Sequence, residues 1–375
     1  EVTYIDYDGD VKKISNKFQK IIFLKFLRFP KLVLKIFKIS TFCFKNPDKK
    51  DYIIYSSGTT DSINKIIFSL DEEKILNIIT TDLEHNSNFL PQLELSKQKK
   101  QNFHLFKYNE VLDLDKFEEN IKKIKWWFIF CFTHSSNIIW WNFDIESLSK
   151  IVHKYSWYIL VDDAQYIAHN EEKAEKNDID FLAFSWHKIW WPTWIGVLYI
   201  KYWLKKIIKY SNLLWWWTIK NIDKWLVNYK SLPYFLEWWV QNYAWIIWLD
   251  SCISYYKSIW YEKINNHISN LVSYFWENFY QNKLEVYFDI ISQNKSNIIT
   301  LKPKTFTSID FHQYCNYFLD DYIISFRTWT MCVDNYVNNY LDWEKNIMRL
   351  SFWIYNEKED IDIFIKSLLN YLNNN

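Results

Sequence analysis

Short apolar runs and helical-period segments alternate along the first two thirds of the chain. DYIIYSS (51–57), ILNIITTDLEH (75–85), FHLFKYN (103–109), FIFCFTH (128–134), YILVDDAQ (158–165), IDFLAFS (179–185) and IGVLYIK (195–201) predict strands. Between them TTDSINKIIFSL (59–70), a stretch near 114–124 and DIESLSKIVHKY (144–155) space their apolar residues as helices do. Alternation of this kind predicts an α/β fold whose mostly parallel sheet is covered on both faces. Beyond about residue 240 the pattern changes to long helical stretches (241–258 and 262–280), then short strands and a last helix, DIDIFIKSLLNYL (360–372). The expected organisation is an N-terminal segment packing on the body (1–50), a large α/β domain (51–255) and a smaller C-terminal α+β domain (256–375).

Composition excludes several classes. With 45 basic and 44 acidic residues the formal net charge is +1, so nothing points to nucleic acid. The basic, apolar stretch Lys20–Lys45 is interrupted by Pro30 and has no uncharged run long enough to span a bilayer, so no membrane partner is expected. Five cysteines at 43, 131, 252, 315 and 332 show no metal-ligand or redox spacing, which fits a reduced, cytoplasmic protein without a metal.

Candidate chemistry gathers where predicted strands end. SSGTTDSIN (56–64) carries the chain from a strand through Gly58 into a helix whose N-terminus, with Thr59 and Thr60, forms an anion cup. Asp162 and Gln165 stand past a buried strand, where α/β sheets bind ligands. Ser185, His187 and Lys188 follow the next strand. A lysine beside a histidine and near a buried carboxylate suits Schiff-base chemistry.

In this order the motifs resemble the class V aminotransferase family of pyridoxal-phosphate (PLP) enzymes, and within it the SUF-type cysteine desulfurases. SWHKIWWPTWIG (185–196) is similar to the family's S-G-H-K-x-x-G-P-x-G-x-G. LEHNSNFLPQ (83–92), THSSNIIW (133–140), VDDAQ (161–165), FLEWWVQN (235–242), FRTWTMC (326–332) and IMRLSFWIYN (347–356) resemble further family motifs. The resemblance implies PLP-dependent transferase fold type I, aspartate aminotransferase-like, with a seven-stranded sheet. It implies that Lys188 forms the covalent link to PLP and that Asp162 pairs with the ring nitrogen. His85 stacks on the ring and Gln165 bonds its oxygen. Gly58, Thr59, Thr60, Ser185 and His187 hold the phosphate. Asn137 lies near the substrate, Arg349 takes its carboxylate, and Arg327 stands near the entrance. Cys332, on a mobile loop, is the nucleophile that takes sulfur from L-cysteine as a persulfide and leaves alanine. The implied partners are a small amino acid and a sulfur-acceptor protein of iron–sulfur cluster assembly, with the enzyme a homodimer. Alternatives are another class V activity (transaminase, selenocysteine lyase, or another carbon–sulfur or carbon–nitrogen lyase) and a non-catalytic relative.

The chain departs from the family most in the segment up to residue 50, which is shorter than usual and does not match, and in two further ways. Asn86, Thr330 and Met331 stand where the family has histidines, and Val240 where it often has threonine. More broadly, the chain has three glycines and 23 tryptophans, whereas about 26 glycines are usual for this length. Trp140, Trp186, Trp191, Trp194, Trp239 and Trp329 fall in glycine columns of the resemblance, and the run 215–217 in a glycine-rich loop; Trp157, Trp245 and Trp248 are read the same way. Such a pattern is expected of a reading frame translated with UGA as tryptophan, where the organism reads it as glycine. Trp126, Trp127, Trp190 and Trp276 are undecided on sequence alone. Were the tryptophans genuine, bulky rings would crowd Lys188 and favour the non-catalytic alternative.

Overall fold

The computed structural model describes residues 2–5, 11–14, 51–139, 142–170, 174–189, 193–209, 218–237, 243–259, 261–292, 297–317, 324–341 and 346–374. Most of the segment 1–50, Trp140, Trp190, Trp191, Trp239, Val240, Cys43 and the run 215–217 lie outside the described residues.

Strands β1 (Val2–Ile5) and β2 (Val11–Ile14) form an antiparallel pair. The large sheet takes β3 (Tyr52–Ser56), β4 (Asn77–Thr81), β5 (Asn102–Phe106), β6 (Phe128–Thr133), β7 (Tyr158–Asp162), β8 (Phe181–Ser185) and β9 (Gly196–Ile200), in the order β3-β9-β8-β7-β6-β4-β5. Pairing is parallel from β8 through to β5, and β9 runs antiparallel to both β8 and β3. Two antiparallel steps make β3 parallel to β8. The C-terminal ends of β3, β4, β6, β7 and β8 therefore share one edge.

Every residue of β4, β6, β7, β8 and β9 is buried, as a sheet covered on both faces requires. Alternate residues feed two cores. Phe130, Phe132, Ile159, Val161, Leu182 and Phe184 face one core, joined by Leu148 and Val152 of the helix Ile145–Lys154. Ile129, Cys131, Tyr158, Leu160, Phe181 and Ala183 face the other, against Ile63, Ile66 and Ile67 of the helix Thr59–Ile67. Each such side chain contributes roughly 1.5–3 kcal/mol by leaving water, so a one-residue register slip would exchange the two faces at a cost of many such terms.

The predicted strand 75–85 ends at Thr81. The backbone turns there, and Thr81 Oγ1 bonds the Glu84 carboxylate at 2.5 Å. Among the elements that the apolar pattern did not predict are the β1–β2 pair, the helix Asn86–Lys99, the short helix Tyr108–Leu112 and the hairpin β10 (Ile219–Asp223)–β11 (Leu226–Tyr229).

Helices Tyr243–Ile259 and Tyr261–Gln281 lead to an antiparallel sheet of β12 (Phe288–Ile290), β13 (Ile298–Pro303), β14 (Arg327–Thr328) and β15 (Met348–Ser351), in the order β12-β13-β15-β14. Phe275 and Phe279 of the second helix pack with Phe364 of the C-terminal helix Lys358–Asn374 and with Phe311 in one core. This smaller sheet presents β14 and β15 to the C-terminal edge of the large one.

Three tryptophans hold left-handed backbone: Trp126 (φ 78°), Trp194 (φ 75°) and Trp329 (φ 76°). Each costs a residue with a Cβ about 1–2 kcal/mol, and glycine nothing. Trp186 is different. It is fully buried edge-on to Phe184, so its ring points into the core.

Candidate active site

The anion cup is built by close backbone approach. Ser56 and Ser185 both pair in register with Gly196 on β9. A Cβ on Gly196 would lie 2.5 Å from Gly58 Cα, so a glycine there lets the loop settle onto the strand. Gly58 then caps the helix Thr59–Ile67 without a side-chain hydrogen bond. Ser185 Oγ accepts from Thr59 N at 2.6 Å and lies 2.7 Å from Thr59 Oγ1. Backbone N–H groups, two threonines and a serine thus converge at the positive end of a helix.

A cavity of about 170 Å³ runs from this cup past His85, Asn137, Asp162 and Gln165 to Lys188. Asp162 ends β7, is only 3% exposed, and accepts from Ala164 N at 3.0 Å. Burial raises its pKa, and the Lys188 ammonium acts the other way. Burial lowers the pKa of Lys188, with the positive Arg349 in the same direction and Asp162 and Cys332 opposing. His85 accepts from Ser87 N at its Nδ1 (3.1 Å), which assigns the ring proton to Nε2. Burial first, then the charges of Lys188 and Arg349, bring its pKa to about 4. The imidazole is therefore neutral over the physiological range, as a flat stacking partner should be.

A second cavity, about 510 Å³, opens from Lys188 and His85 toward Arg327, Cys332 and Arg349. Arg349 sits on β15, opposite Arg327 on β14. Its Nη1 donates to Asn137 O at 2.9 Å, its Nε is buried without a partner, and it makes no ion pair among the described residues. Burial, with the like charge of Arg327, lowers its pKa to about 10, so it stays cationic. A half-buried guanidinium whose Nε is shut off from water is costly unless a ligand supplies a carboxylate.

Cys332 is exposed, whereas Cys131, Cys252 and Cys315 are buried. Burial raises the thiol pKa of Cys252 and Cys315 to about 12 and that of Cys131 well above its usual value, which keeps them unreactive. The Cys332 loop is tied down: Asn137 Nδ2 donates to Met331 O at 2.9 Å, and Asn86 N to Cys332 O at 2.6 Å.

All thirteen residues singled out in the sequence lie on these cavities or, for Gly58, in the cup beside them. His187 is exposed at the rim, and Arg327 at the outer mouth. No tryptophan lines the inner cavity among the described residues.

Sequence reasoning missed two buried groups. Glu84, beside His85, is held by Thr81 Oγ1 and by Asn88 Nδ2 (2.6 Å), and burial raises its pKa to about 8. His134 Nδ1 lies 2.8 Å from Asp163 Oδ1, its ring stacks on Tyr166 at 3.5 Å, and its N–H donates to Asp162 O at 2.9 Å. Both acids stood inside the quoted motifs, but a sequence does not tell a buried acid from a turn residue.

The donor set fits PLP: hydroxyls and helix N–H groups for a phosphate, a buried carboxylate for a protonated ring nitrogen, a neutral imidazole for a ring face, and a desolvated lysine. Fold and site together define a PLP enzyme of fold type I. The aminotransferase class-V family model matches residues 42–364, and the chain belongs to that family. It is 31% identical to a probable cysteine desulfurase of Borreliella burgdorferi, across 97% of this chain and 85% of that one. It is 32% identical to a cysteine desulfurase of Wigglesworthia glossinidia brevipalpis, across 87% and 78%. Among solved structures, the apo cysteine desulfurase from Thermococcus onnurineus superposes with a TM-score of 0.79 at 24% identity, covering 93% of this chain and 85% of that one.

Proposed function

We propose that this protein is a PLP-dependent cysteine desulfurase that converts L-cysteine to L-alanine and leaves the sulfur as a persulfide on Cys332. The observation that carries this reading is one cavity holding a desolvated lysine, an arginine without an acidic partner and an exposed cysteine. Asp162, His85, Gln165 and the Gly58–Thr60 cup with Ser185 and His187 hold the cofactor. When bound, PLP supplies an electron sink for bonds at the substrate's Cα. Arg349 binds the substrate carboxylate through its fork of N–H donors. Lys188 Nζ takes the Cα proton, its lowered pKa favouring the neutral amine that a base requires. The Cys332 thiolate attacks the substrate sulfur. A sulfur–sulfur bond forms as the Cβ–sulfur bond breaks, and the electron pair stays with carbon. That carbon takes a proton, Lys188 Nζ gives the Cα proton back, and the product leaves as alanine. One thiol and one cysteine become one persulfide and one alanine, without an external oxidant. A homodimer in the cytoplasm passing sulfur to an acceptor protein of iron–sulfur assembly completes the reading. No helix among the described residues is long and apolar enough to cross a membrane.

The test is the PLP-loaded enzyme with L-cysteine and a thiol reductant, assayed for alanine and sulfide together. Equal release supports the reading, and alanine without sulfide sinks it. In the same assay Arg349→Ala is expected to raise KM for L-cysteine about 10²-fold, the worth of a charge-assisted pair of about 1.5–3 kcal/mol. An unchanged KM would move the carboxylate site elsewhere.

We also propose that Trp126, Trp194 and Trp329 are glycines in the protein as its own cell makes it. The left-handed backbone at each supports this, independently of any motif. Trypsin cuts after Arg327 and Lys345, and the fragment ions of the native peptide between them should carry a glycine mass at position 329. A tryptophan mass there refutes the substitution.

A further inference from the structure

We propose that Asn86 is a positioning residue for the Cys332 thiol, working as a clamp with Asp334. The inference rests on the reading of Cys332 as sulfur acceptor. Asn86 opens the helix Asn86–Lys99 immediately after His85. Its main-chain N–H, one of the donors a helix start leaves over, goes to Cys332 O at 2.6 Å. Its side-chain Nδ2 donates to Asp334 Oδ2 at 2.6 Å, and its Oδ1 accepts from Asp334 N at 3.4 Å. One asparagine thus grips both ends of Cys332–Asp334.

The grip has work to do. Met331 (φ 52°) and Cys332 (φ 61°) are consecutive residues in left-handed backbone. Neither is glycine, and such a pair persists only where its surroundings over-determine it. Asn137 supplies the hold on Met331 O; Asn86 and Asp334 supply the hold on Cys332. The thiol that must meet the substrate is therefore referenced to the residue next to His85, the ring-stacking imidazole. The following segment has its own anchor in the large domain. Tyr336 packs edge-on to Tyr108 at 5.4 Å, and Tyr340 Oη donates to Asp82 Oδ2. Loss of the Asn86 side-chain grip on Asp334, with the main-chain bond to Cys332 O kept, should therefore loosen the thiol without unfolding the loop.

The test uses the full PLP-loaded enzyme. Asn86→Asp sets two carboxylates against each other where an amide met one. Asp334→Asn made in addition restores a donor–acceptor pair of reversed polarity. Asn86→Asp is expected to lower kcat for alanine formation at least about tenfold, since misplacing a reacting group by an ångström is that costly. KM for L-cysteine should change less than about twofold, because the lost interaction is not made to bound substrate. The rate of Cys332 alkylation by iodoacetamide should shift in the single variant and return in the double one, and Asp334→Ala should move both readouts in the same direction as Asn86→Asp. Wild-type kcat and alkylation in Asn86→Asp, or a double variant no better than the single, would overturn the clamp. Failure of the underlying reading looks different: Cys332→Ala would then keep its alanine formation.

Discussion

Cys332→Ala is expected to abolish alanine and sulfide formation from L-cysteine while leaving PLP uptake intact. The cysteine lies outside the inner cavity, so the cofactor's holders are untouched. What is lost is the nucleophile, and no other described cysteine can take its place: Cys131, Cys252 and Cys315 are buried, with thiol pKa values raised by burial. Loss of a covalent nucleophile exceeds the roughly 10²–10⁴-fold of a general acid or base. The readouts are alanine, sulfide and the absorption of bound PLP. Alanine at the wild-type rate would remove Cys332 from the chemistry and move the protein toward another class V reaction.

Lys188→Ala should lose both the reaction and the covalent retention of PLP. Lys188 shares the inner cavity with the buried carboxylate of Asp162, and each shifts the other's pKa. Removing it leaves that carboxylate without its cation and removes the base for the Cα proton, so kcat should fall by about 10²–10⁴-fold. PLP should then wash out on gel filtration, where the wild type retains it. Retention of covalent PLP by Lys188→Ala would assign the link to another amine. The depressed pKa of Lys188 also sets a sign. With the amine as base, kcat/KM in the wild type should fall as pH drops below that pKa and the amine gains its proton.

The large sheet, the anion cup and the strand ends that carry Asp162 and lead to Lys188 were legible in the sequence because each rests on local chemistry, whereas His85 and its ring role came only with the resemblance. A fully buried strand must be apolar along its length, as FIFCFT is, and a strand end carrying Asp162 or Ser185 marks the ligand edge. The strand order was not legible, because β3 joins β9 through a pairing about 140 residues apart and β6 pairs with β4 rather than with its sequence neighbour β5. Nor was the tether on Cys332. The resemblance implied a mobile loop, whereas hydrogen bonds from Asn86 and Asn137, some 246 and 194 positions away in sequence, hold it on the site. Glu84 and the His134–Asp163 pair were read as motif letters, and only burial shows them as the packing behind His85 and Asp162. Trp126 was undecidable from sequence but has a backbone that favours glycine, whereas Trp186, in a glycine column, holds no left-handed backbone.

The most direct measurement is the mass of the Cys332 peptide after the PLP-loaded enzyme has met L-cysteine without reductant. The account predicts one added sulfur on Cys332 and one alanine released for each. An unmodified Cys332 peptide alongside released alanine, or the sulfur on another cysteine, would contradict it.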